Sequence, residues 1–248
     1  MKDKKIHLDD FGRSPKISYQ ILDYLKCNKI SSVSVMVGFV DSKFHRLLIK
    51  KKVKTKLHLN LTDNKNYEFN KKSKDTSFFS LFFLKKKYRR QVFHEIDKQI
   101  NEYKKIYDFK KISLDGHQHI HFIPWIYKHL CTNKKYNISE LRYPNEKFNF
   151  PTFKVLIKIK FYRNLIAWLL LKFFSIFNEK KTKKEFFGIL YSSIYDEKIL
   201  NHQFTKYKFI NKEILLHLGN TDSSERKLFS KKFFNYFTSN RDFKTLAF

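Results

Sequence analysis

Apolar residues along this chain fall into two alternating rhythms. Behind Ser14, the residues Ile17, Ile21, Leu22 and Leu25 recur at helical spacing, so a helix is expected to open there. Ser31–Val37 alternates around Val33 and Val35, as a buried strand does. Thr55–Leu61 puts Leu57, Leu59 and Leu61 on one face and His58 and Asn60 on the other. The clearest stripe is Val92, Ile96, Ile100, Tyr103 and Tyr107, which predicts a helix over Arg90–Tyr107. Shorter strands are expected at Lys5–Leu8, Lys111–Leu114, Ser139–Arg142 and Glu213–Leu216. Helices are expected at Ser42–Lys51, Trp125–Leu130 and Ser223–Phe237. Strands alternating with helices, without an internal repeat, predict βα units around a parallel sheet.

The length of 248 residues suits one domain and is typical of a single α/β barrel. A hydrophobic content of 42% with 28 Phe is ample for a packed core, which excludes global disorder. The formal charge of +29 comes from scattered Lys runs such as Lys50–Lys52 and Lys85–Lys87. It fits attraction to nucleic acid, anionic lipid or an acidic glycan, and equally the Lys-, Asn- and Phe-rich coding of an AT-rich genome. Cys27 and Cys131 lack metal-site spacing and read as reduced and structural. The charged start Met1–Lys5 runs straight into the first motif, so a cytoplasmic protein is expected.

The polar candidates gather at strand ends, the rim where α/β barrels build their sites. His7-Leu8-Asp9-Asp10-Phe11-Gly12 closes the first strand. Adjacent carboxylates on extended chain point to opposite sides, so one can bind metal while the other takes a proton; a plain turn is the alternative. His58 is either a hydrogen-bonded strand histidine or a ligand. In Asp115-Gly116-His117-Gln118-His119-Ile120-His121 the three His alternate, so on extended chain all three could face one way. Two or three imidazoles with a carboxylate suit zinc and related ions, and one of the three His is expected to orient the others or touch substrate.

Taken in order, these segments resemble the YdjC-like carbohydrate deacetylases, the family of chitooligosaccharide and hopanoid-associated deacetylases. The shared pattern is Asp9-Asp10-Phe11-Gly12, the small-residue strand Ser31–Met36, and His58-Leu59-Asn60-Leu61-Thr62. It continues with Glu95 to Gln99, Asp115 to His121, Pro124, and Arg142-Tyr143-Pro144-Asn145-Glu146. The resemblance implies a distorted seven-stranded (β/α) barrel-like fold over residues 1–248, with a variable loop at 63–79 and a Lys/Phe-rich insert at 153–181. It implies one divalent cation, Mg²⁺ or Zn²⁺, on Asp10, His58 and His117. It further implies Asp9 as base, His217 as acid or substrate contact, and His119, His121, Arg142 and Glu146 as substrate contacts. The family's His-Pro is replaced here by His217-Leu218-Gly219, which alters the backbone beside that His. The implied reaction is removal of acetyl from an N-acetylated sugar that is free, nucleotide-linked or lipid-linked; oligomeric state stays open, a homodimer included.

Arg163–Phe177 is strongly apolar but interrupted by Lys172, and shorter than the roughly 20 residues of a spanning helix. A buried helix is the default expectation. The alternative is an interfacial helix on anionic lipid, which would make the protein membrane-peripheral and suit a lipid-linked sugar. Two other function classes compete. A nucleic-acid binder leaves the Asp pair and His cluster without a purpose and is set aside. A phosphoesterase would need more bridging carboxylates than the motifs supply.

Overall fold

A computed structural model describes residues 5–25, 30–63, 77–148, 153–179, 185–192, 194 and 212–216. Its centre is a parallel sheet. The strands are β1 (Lys5–Phe11), β2 (Ile30–Val35), β3 (Lys54–Leu59), β4 (Ile112–Gly116), β5 (Ile138–Leu141), β6 (Glu185–Phe187) and β7 (Lys212–Leu216). They lie in the order β5-β4-β3-β2-β1-β7-β6, each pair parallel. Helices α1 (Pro15–Tyr24), α2 (Ser42–Lys50) and α4 (Lys86–Tyr107) connect the first four strands in turn, with the short α3 (Phe78–Phe82) ahead of α4. α5 (Pro124–Thr132), α6 (Phe153–Leu156) and α7 (Ile159–Phe177) complete the described helices. The fold is thus the barrel-type α/β architecture expected. Among the described residues no ladder joins β5 to β6.

Local chemistry explains the element ends. Ser14 caps α1 by accepting from the Ile17 N–H, and Pro15 occupies the first helical position, where its missing N–H costs nothing. Ser77 and Ser80 form a reciprocal capping box that starts α3, so Phe78 and Phe79 belong to a helix and not to the expected loop. α4 begins four residues before the expected start at Arg90, because Lys86–Arg89 continue the helix at the surface.

Each strand presents two faces. Leu8, Val33, Val35, Leu57, Leu59 and Leu114 are buried under the helices. The opposite positions, His7 and Asp9, Ser32 and Ser34, Lys56 and His58, and Glu213, are also buried, but polar. One face of the sheet is therefore lined by buried polar and charged groups, while the hydrophobic core lies between the other face and the helices. The expected helix at Ser223–Phe237 and His217 lie outside the described residues.

α7 departs from the default of a buried helix. Phe161, Asn164, Leu171 and Phe174 face inward, while a second set of apolar residues faces outward. No helix of the described residues is long and apolar enough to cross a membrane.

Candidate metal and catalytic centre

The centre is assembled at the C-terminal ends of β1, β3 and β4. In β1 the register with β2 shifts between Leu8 and Phe11, and Asp10 takes φ 71°. Such an irregularity re-aims side chains. It is the reason two adjacent carboxylates serve one cavity instead of pointing apart. Gly12 (φ 89°) makes the turn feasible, since a Cβ there would collide with the Met36 carbonyl. In β3, His58 pairs in register with Asp115 of β4. Gln99 of α4 fixes the end of β3: its Oε1 accepts from the Asn60 N–H (3.0 Å), and its Nε2 donates to the Asn60 carbonyl (2.7 Å).

Asp10, His58 and His117 meet here, with ligand atoms all within 4.8 Å of one another. His58 Nε2 is 3.4 Å and His117 Nδ1 is 3.2 Å from Asp10 Oδ1. Asp10 Oδ1 and His58 Nε2 are buried without a well-formed hydrogen bond, an arrangement that costs free energy unless another group occupies the space between them. One carboxylate and two imidazoles are a donor set that a divalent cation fits. Two other groupings, His7-Asp115-Glu213 and Asp9-His58-Asp115, have comparable spacing. Their carboxylates are already committed to Arg142, so the Asp10 set is the better candidate.

Behind these residues lies a buried ionic lattice. Arg142 binds Asp9 with two parallel hydrogen bonds (2.9 and 3.0 Å), Asp115 at 2.8 Å and Glu213 at 2.8 Å. Glu213 also accepts from Lys56 at 2.5 Å. Asp115 bonds His58 Nδ1 (2.6 Å) and accepts from the Ser34 hydroxyl (2.5 Å). His7 reaches Ser32 (2.6 Å), Ser34 (2.7 Å) and Asp9 (2.9 Å). A carboxylate on the far nitrogen of a ligand imidazole fixes its tautomer and orientation.

Around the centre four buried carboxylates, Asp9, Asp10, Asp115 and Glu213, face two permanent cations, Lys56 and Arg142. Further positive charge is therefore favoured. Burial alone would lower the His58 pKa, but Asp9, Asp10 and Asp115 push it up to about 10. His117 is likewise raised: Asp10 and Asp63 outweigh its burial. Burial would raise the Asp9 carboxyl, yet Arg142, His58 and His7 hold it well below the usual range. A divalent cation could take the place of the two protons that the imidazoles otherwise attract.

The expected extended run of three His is corrected. His117–Phe122 is a 3-10 turn in which Gln118 (φ 52°) and His119 (φ 57°) are left-handed, because the chain must bend off the end of β4. The three rings consequently diverge. His117 faces Asp10. His119 lines the cavity, edge-on to Phe186 at 5.4 Å. His121 is fully buried, its Nε2 on the Arg142 carbonyl (3.0 Å), and burial pushes its pKa down to about 4.

A cavity of about 610 Å³ opens over the centre. Asp9, Asp10, His117 and His119 form its polar floor; Phe78, Phe79, Ile166, Leu170 and Ile189 contribute an apolar wall. Arg142 and Glu146, expected at substrate, are not among its lining residues. The Glu146 Oε2 accepts from the Ile189 and Leu190 N–H groups (2.7 and 3.1 Å), shaping that wall from behind. Sequence reasoning placed His7, Ser32, Ser34, Gln99 and Asp115 within its motifs without individual roles, and gave none to Lys56 or Glu213. The available signal was the alternation itself, His7/Asp9, Ser32/Ser34 and Lys56/His58 on one face of successive strands.

The model of the family described as YdjC-like protein matches residues 5–246. The chain belongs to the YdjC-like family. Membership implies a carbohydrate-processing hydrolase of the deacetylase type. A solved structure from Enterococcus faecalis V583, provisionally described as a cellobiose-phosphate cleavage protein, is similar over 100% of this chain and 99% of its own. At 14% identity and a TM-score of 0.52, that likeness speaks for the fold. No match is found among curated proteins.

Proposed function

We propose that this YdjC-like chain is a divalent-metal-dependent hydrolase that removes the acetyl group from an N-acetylated sugar. The observation that carries this reading is the meeting of Asp10, His58 and His117, with buried ligand atoms that lack a well-formed hydrogen bond, beside Asp9 on a cavity floor. Those three residues would hold the cation, which when bound polarises a carbonyl and lowers the pKa of water. Asp9 takes the proton of the attacking water. The Arg142 fork fixes the plane of Asp9 and keeps it ionised, so it is a well-aimed but weak base. Its action therefore depends on an acidified water. His217, directly after β7, is assigned to protonate the departing amine. His119 is the substrate contact, and His121, Arg142 and Glu146 are positioning residues.

Asp9→Asn tests the base. Acetate release from N-acetylated sugars should fall about 10²–10⁴-fold while metal binding persists; undiminished release would remove Asp9 from the role. A second reading, cleavage of a phosphate ester, is favoured by Arg13 and Arg163 at the cavity. It requires phosphate release where no acetate appears.

A further inference from the structure

The outward face of α7 carries Ile159, Tyr162, Ile166, Leu169, Phe173 and Ile176, spaced alternately by three and four residues. That spacing puts them on one stripe, and each is at least half exposed, up to 87% at Ile159. Phe153 of α6 and Ile157, the residue after that helix, are both largely exposed. α3 packs against α7 and exposes further aromatic rings. Phe78 and Phe82 pack on Phe174 at 5.8 and 5.0 Å, while Phe79 and Phe83 face outward. Exposed apolar residues gathered in this way on neighbouring helices mark an interaction site.

Two observations select the occupant. The apolar surface is bordered by exposed cations, Lys160 and Arg163 on α7 and Lys85–Lys87 just after α3. A second copy would bring another chain of +29 against it, whereas an anionic bilayer is attracted. Secondly, Phe79, Arg163 and Ile166 belong both to this surface and to the cavity wall. The cavity thus opens at the edge of the apolar stripe, with a guanidinium at the threshold and the metal-ligand set at the floor.

We propose that the α3–α6–α7 face seats on an anionic lipid bilayer and that the cavity takes an N-acetylated sugar joined through phosphate to a lipid. The sugar reaches Asp10 and His117, Arg163 meets the phosphate, and the lipid leaves along Ile166 and Leu170. The substrate part rests on the acetyl-removing reading above; the docking part does not. α7 lies along the membrane instead of crossing it, its inner face remaining packed on the protein.

The test uses the whole chain with phosphatidylcholine vesicles, with and without phosphatidylglycerol, and the double variant Leu169→Glu/Ile176→Glu. Both positions are exposed and neither lines the cavity, so folding is retained, checked by the thermal melt. Flotation should show binding to anionic vesicles only, weakened by salt and reduced at least about tenfold in the double variant. Ile157→Glu/Ile159→Glu should do the same. Acetate release should be faster from N-acetylglucosamine on a polyprenyl phosphate in vesicles than from the free sugar, and the double variant should lose only that advantage. No binding by the native chain, binding indifferent to both variants, or a solution dimer abolished by Leu169→Glu/Ile176→Glu would overturn the docking. Equal release from free and lipid-linked sugar would overturn the substrate assignment. Absence of acetate from either would count against the deacetylase reading, and vesicle flotation would still decide the docking.

Discussion

Asp115→Asn isolates the carboxylate behind His58 without changing volume. In the native chain Asp115 is fully buried and bonds His58 Nδ1 at 2.6 Å, Ser34 at 2.5 Å and Arg142 at 2.8 Å. The amide keeps one acceptor for His58 but loses the charge that aligns the imidazole. Hydrogen bonds to charged groups contribute about 1.5–3 kcal/mol, and loss of an orienting carboxylate typically weakens metal binding about 10–100-fold. The two figures agree, since tenfold is about 1.4 kcal/mol. Arg142 retains Asp9 and Glu213, so the stability loss should sit near the lower end of the roughly 3–5 kcal/mol typical of a broken buried pair. Calorimetric titration of Zn²⁺ and Mg²⁺ into chelator-stripped protein measures the first, and denaturant unfolding the second. Native-like affinity in the variant would refute the orienting role. Complete loss of binding would instead make Asp115 itself a ligand, as the Asp9-His58-Asp115 grouping would have it.

Other predictions follow from the same geometry. In the metal-free chain, His58, raised to about 10 from 6.5, contributes stability below pH 6.5 that is lost as pH climbs through 10; the Tm should fall over that window, and less so with metal bound. A Cβ at Gly116 would lie 2.8 Å from His121 Nδ1, so Gly116→Ala should cost about 1–3 kcal/mol in unfolding and weaken metal binding through the displaced turn. Gln99→Met removes the two hydrogen bonds that Gln99 makes to the Asn60 backbone and should destabilise the chain by about 2–4 kcal/mol, read by denaturant unfolding.

What the sequence revealed was the part governed by local rules. α1, α2, α4, α5, the first five strands and β7 are legible because apolar residues mark them out along the chain and Ser14 marks a start. The candidate ligands Asp10, His58 and His117 were legible as dense polar motifs at strand ends. The direction of the three His was not, because left-handed Gln118 and His119 break a pattern that periodicity assumes to be extended. Arg142 was read as a substrate contact because nothing local reveals that β5 delivers its guanidinium onto Asp9, more than a hundred positions earlier in the chain. The interior Lys56–Glu213 pair was hidden for the same reason: a buried Lys is intelligible only once its partner strand is known. α7 looked like a core helix because both of its faces are apolar, and composition cannot tell which face the protein covers.

The central claim is met most directly by acetate release from a panel of free, oligomeric, nucleotide-linked and lipid-linked N-acetylated sugars. Native chain and Asp10→Ala would be compared after metal stripping and re-addition. The account predicts release that disappears on stripping, returns with the divalent cation, and is lost in Asp10→Ala. No release from any of these sugars by protein carrying one bound metal per chain would contradict it.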